Sequence, residues 1–304
     1  MALDEMGLHR AARGLLVAMI DEQRSDGSFD AARLDATAAW LVALDHDARL
    51  SGDDALIVDS IERIASAAHH LHRRHVGGRI SRSSRFFGRG AGPEPAMDDD
   101  VRRARDARWA RRALDAAARM LRSVGQVDAA TLVDDHAIDL VHAMSTRSIV
   151  DAGDGSGRPP ADAVARLRTM VAEGAPCWTW PSPVDGDDPA RAAEFIRLVR
   201  ALLVDDSGPG IAILPHSIED WYGRPLAVHD LPTAFGRLSF ALRWHGPRPA
   251  LLWELVTHPH LEDSTIRLAA PALDAVWTSS ERRAEALLAE PPHEHAHGEG
   301  DSFT

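Results

Sequence analysis

The chain has 304 residues and carries 34 basic side chains, all of them arginine, against 46 acidic ones, for a net charge of −12. That length can bury one large core or two ordinary ones, and so acidic a surface repels polyanions, which excludes nucleic acid as an expected partner. Its single cysteine, Cys177, excludes an internal disulfide, and no stretch reaches the roughly 18 apolar residues of a membrane span.

The first element is a helix over 3–24, with Leu8, Leu15, Met19 and Ile20 at helical spacing and a stop at the Asp26-Gly27 turn. Its apolar run follows Asp4, Glu5, His9, Arg10 and Arg13 and lacks a small-residue cleavage site, so a secretory leader is not expected and the cytoplasm is the expected compartment. Residues 35–50, with Ala38, Trp40, Leu41, Val42 and Leu44, are apolar nearly all round, which predicts a buried helix. Asp53 can cap a third helix striped by Ile57, Ile61, Ile64, Ala68 and Leu71.

Residues 77–98 are rich in Gly, Arg, Ser and Pro, and a connection of that length suits a site loop. Further helices are expected at 99–124, 128–145 and 160–173. Asp188 and Pro189 then supply a cap and first-turn proline for a seventh, through Phe195, Ile196, Val199 and Leu203. After residue 204 the period changes to two. Leu238, Phe240, Leu242 and Trp244 alternate with Arg237, Ser239, Ala241 and Arg243, Gly246-Pro247 turns the chain, and Leu251–Val256 returns it. Shorter strands are expected at Ile211–Leu214, Leu226–Val228 and Thr265–Leu268. The expected class is therefore α+β: helical hairpins over 1–204, a small antiparallel β-sandwich over 205–289, and a disordered tail over 290–304.

Several phrases carry a resemblance: QRSDGSF (23–29), LDATAAWLVALDHDARLSGD (34–53), WTWPSPVDGDD (178–188), AAEFIRLVRALLV (192–204), LPTAFGRLSFALRWHGPRPALLWEL (231–255) and LAAPALDAVW (268–277). The chain resembles bacterial proteins related to glucoamylases and trehalases, in which an α/α toroid of paired helices is joined to a β-sandwich. The resemblance implies a glycosidase of α-linked saccharides that needs neither metal nor cofactor and has carbohydrate as its partner. A complete toroid of that kind has twelve helices and the pattern here supplies seven. It therefore implies a reduced relative, a toroid completed by a second chain as a homo-oligomer or hetero-partner, or a half lying upstream.

Glycoside hydrolysis uses two carboxyl groups, roughly 6.5–9.5 Å apart in inverting enzymes. The resemblance makes Asp106 the first candidate, because RDARWARRAL (105–114) occupies the place of a Trp-Asp-Asp stretch, with Arg105 and Ala107 departing from it. Asp106 also fits a solvated position pairing with Arg102 or Arg103 at helical spacing. Asp187 precedes a helix whose free N–H groups favour an anion, and it equally fits a turn neighbour of the cap Asp188. Asp35 stands before the buried helix as a substrate contact or an ordinary cap. Trp178 and Trp180 offer aromatic faces to sugar rings, but at i and i+2 of an extended segment only one would face a ligand.

Glu194 is a candidate for orienting a hydroxyl, or a partner for Arg191 or Arg197. Arg82 and Arg85 of the long loop suit hydroxyls or a phosphorylated sugar, or plain solvent. His69, His70, His72 and His75 have metal-like i, i+3 spacing, but nothing nearby in sequence completes a set, so no metal is expected; His293, His295 and His297 would bind metal only adventitiously. Glu254 reads as a sheet residue.

Overall fold

Among the described residues up to 203, apolar positions in the helices recur three and four residues apart and the backbone coils accordingly; beyond it they alternate in the strands and the backbone extends. The computed structural model describes residues 1–29, 34–76, 99–145, 163–172, 189–216 and 221–291. The protein is of mixed α+β class, with two compact units, Met1–Arg158 and Pro159–Thr304.

The first unit contains α1 (Ala2–Glu5), α2 (His9–Ile20), α3 (Leu34–Ser51), α4 (Ala55–Asp59), α5 (Ile61–Val76), α6 (Asp99–Ser123) and α7 (Val127–Ser145). The single helix expected over 3–24 is divided, because Gly7 takes φ 76° and the Leu8 N–H turns back to the Leu3 carbonyl at 2.8 Å, a Schellman closure. The third expected helix is also divided. The Ala55 N–H donates to Asp53 Oδ1 at 2.9 Å, but the N-cap of α4 is Asp54, one residue later than expected, and Ser60 separates α4 from α5 with a tightened bond from its N–H to the Ile57 carbonyl.

Trp40, Leu41 and Leu44 of α3 are fully buried, with Phe29 tilted against Trp40 at 4.8 Å. Facing them, α6 presents Ala110, Ala113, Ala117, Leu114 and Leu121, all essentially inaccessible. Alanine on a helix face brings neighbouring axes close, and α6 packs on α3, α5 and α7. Half a toroid would leave α3 exposed, whereas α3 is covered within its own unit. Among the described residues no helix is long and apolar enough to cross a membrane.

In the second unit, α8 (Ala163–Ala172) and α9 (Pro189–Leu203) join through Met170, Leu198 and Leu202. Pro189 opens α9, where its missing N–H has no cost. The strands are β1 (Val204–Asp205), β2 (Gly210–Ile213), β3 (Leu226–Thr233), β4 (Gly236–His245), β5 (Arg248–Thr257), β6 (Arg267–Ala270), β7 (Asp274–Ser279) and β8 (Arg283–Leu287). They form two sheets, ordered β1-β2-β6-β7 and β3-β4-β5-β8. Leu238, Phe240, Leu242, Leu251 and Trp253 of one sheet share a core with Ile211, Ile213, Leu268 and Ala270 of the other.

The expected antiparallel pairing holds throughout the larger sheet but not between β2 and β6, which run parallel. Phe240 stands opposite Trp253, and Gly246 takes the positive φ (64°) that a two-residue hairpin turn needs before Pro247. Asp206 anchors α9 here. It accepts from Arg200 at 2.8 Å and from the Ala234 N–H at 2.7 Å, while Arg200 also reaches the Pro232 carbonyl.

Candidate functional site

Asp106 lies well inside α6, half-buried, not at a helix start. Only the backbone of Asp35 is described, in the first turn of α3. Trp178, Trp180 and Asp187 lie outside the described residues, as do Arg82, Arg85 and the tail histidines. Glu194 of α9 pairs with Arg166 of α8. Asp106 and Glu194 thus belong to different units. Glu254 is a sheet residue, opposite Arg283 in register and 3.7 Å from it.

The sharpest electrostatic feature of the helical unit is a set of ionisable groups where α1 and α2 meet α3. Asp4 and Asp47 are closed from solvent, at 0% and 1% exposure. Arg13 donates to Asp47 Oδ2 from Nη2 at 3.0 Å and from Nε at 3.2 Å, and to Ser51 Oγ at 3.2 Å; it also pairs with Asp53. His9 Nδ1 lies 3.3 Å from Asp4 Oδ1, and His46 Nε2 lies 3.4 Å from Glu5 Oε1.

Burial first, and then the neighbouring Asp4, push the Asp47 carboxyl up to about 6 against the opposing pull of Arg13. Asp47 therefore keeps its proton into mildly acidic solution. The enclosure of Asp4 and Asp47 gives the pair a structural task, fastening the first two helices to the third.

A second cluster was half visible in the sequence. His69 and His72 stand one turn apart on α5, and α7 brings His136 against them. One ligand nitrogen from each ring lies within 4.8 Å of the others. The His72 and His136 rings stack at 3.9 Å and 10°, and His69 sits 5.8 Å from His136, centroid to centroid. His72 Nε2 is 3.1 Å from Asp139 Oδ2. His136 is 7% exposed and its Nδ1 is buried without a hydrogen-bond partner. Burial, followed by the nearby His72 and His69, lowers the affinity of His136 for a proton. The i, i+3 spacing on α5 was the available signal; the completing residue comes from a distant helix that no local pattern connects to it.

The chain matches no protein-family model, and no curated protein and no solved structure matches it significantly.

Proposed function

We propose that the chain is a glycoside hydrolase-like protein with a reduced helical toroid, acting in the cytoplasm on an α-linked oligosaccharide or polysaccharide. In this reading Asp106 protonates the leaving oxygen, Asp187 activates water, and Asp35, Trp178, Trp180 and Glu194 contact the sugar, without a cofactor. The observation that supports it is the order of parts: Ala-lined paired helices, then a two-sheet module sharing one core, in one chain. That is the order which the resemblance of the sequence to toroid glycosidases implies.

A second reading, a relative that binds saccharide without cleaving it, is favoured by two details. Asp106 sits inside a helix, and Glu194 is engaged by Arg166. One experiment addresses both. Reducing-sugar release is measured over a panel of α- and β-linked oligosaccharides for the native protein and for Asp106→Asn, Asp187→Asn, with tryptophan fluorescence reporting binding. Release from an α-linked substrate that disappears in the double variant is the expected result. Binding without release selects the second reading, and a folded protein that neither binds nor cleaves sinks both.

A further inference from the structure

We propose that His69, His72 and His136 form a binding site for a divalent late first-row metal ion, Zn2+ foremost, that clips α5 to α7. Three neutral imidazoles are a donor set suited to Zn2+, Cu2+, Ni2+ and Co2+, and three protein ligands leave a further position for water. Two of the donors come from one face of α5, where i, i+3 spacing aligns them, and the third comes from the packed face of α7.

The arrangement has the parts of a built site. His136 forms its buried floor, and its Nδ1 lacks any other partner at a depth where an unmatched nitrogen is costly. Asp139 holds Nε2 of His72, which leaves Nδ1 of that ring for the ion; a carboxylate behind a ligating histidine fixes its tautomer and raises its basicity. His69 is exposed and completes the set from the solvent side. Tetrahedral binding at about 2.05 Å places ligand nitrogens about 3.3 Å apart. The nitrogens lie within 4.8 Å of one another, and closing that gap requires rotation of the His69 side chain and rotation of the His72 ring out of its stack on His136, because an imidazole lone pair lies in the ring plane and two parallel rings do not aim at one ion. The buried, unpartnered nitrogen of His136 thus has two further imidazoles beside it.

The test uses the full chain with His293, His295 and His297 replaced by Ala, so that the tail contributes no binding. Co2+ is added and followed by its visible absorption, and Zn2+ is then used to displace it. The expected result is the intense d–d band of four-coordinate Co2+ at one ion per chain, bleached by Zn2+, with a rise in Tm on Zn2+ addition. His69→Ala, at an exposed position that leaves the fold intact, abolishes the band, and His136→Ala does the same. Asp139→Asn weakens binding by about 10- to 100-fold. His229→Ala, on an exposed strand position, changes nothing. Absence of the band in the starting protein, or its persistence in folded His69→Ala, would overturn the proposal.

Discussion

The two units fill their cores with different mixtures of side chains. The helical unit sets small side chains, Ala110, Ala113, Ala117 and Ala118 of α6, against the large Trp40, Leu41 and Leu44 of α3, and accommodates the buried carboxyls of Asp4, Asp45 and Asp47 by pairing them. The sheet unit fills its centre with large side chains, Leu238, Phe240, Leu251 and Trp253, and among its described residues the Arg200–Asp206 link is a charge pair that lies inward. The difference follows from geometry. Close helix approach requires small faces, whereas two sheets about 10 Å apart leave a gap that only long side chains fill. The alanine face of α6 should therefore fail by enlargement and the sheet core by truncation.

The largest effect is expected from Phe240→Ala, which empties the space opposite Trp253 and should cost about 3–5 kcal/mol in equilibrium urea unfolding. A loss below about 1 kcal/mol would mean that the two sheets collapse onto the gap, and the contrast between the units would weaken. Arg200→Ala follows. It strips Asp206 of its cation while the Ala234 N–H remains, and a loss of about 2–3 kcal/mol is expected on the same measurement.

Ala117→Leu is the counterpart in the helical unit. Ala117 is wholly buried against neighbouring helices, so added methylenes force them apart at a cost of about 1–3 kcal/mol. Neutral or raised stability there would show slack in a core argued to be close-packed.

Asp47→Asn sharpens the comparison through pH. Because the folded carboxyl sits near 6 and its ordinary value is 3.8, the folded protein keeps a proton that the unfolded chain releases. Its contribution is full below about pH 4 and is lost as pH rises through about 6. The stability of the variant relative to the native protein should therefore rise on the order of 1–2 kcal/mol between about pH 4 and pH 7, allowing for solvent and Arg13. A difference that stays flat across that window would show that Asp47 ionises normally. Glu194→Gln should be the smallest perturbation, within about 0.5 kcal/mol, since its pair with Arg166 is exposed. A saccharide affinity that falls while stability stays level would assign Glu194 to the proposed sugar site.

Local pattern by itself determined much of this chain. The alternation from Leu238 to Trp244 and the Gly246-Pro247 turn wrote the β4–β5 hairpin, the stripe of Trp40, Leu41 and Leu44 wrote a buried α3, and Pro189 wrote the start of α9. The strands β7 and β8 escaped because their residues are mostly exposed or half-exposed; hydrogen bonding to β6 and β5, not an apolar period, makes them strands. Only the tertiary structure decided that β2 would lie parallel to β6, that Arg13 would reach across to Asp47, and that His136 would arrive beside His69 and His72. Periodicity records which face of an element is buried, and it holds no information about which distant element will cover that face, so the polar groups that meet there are specified by packing alone.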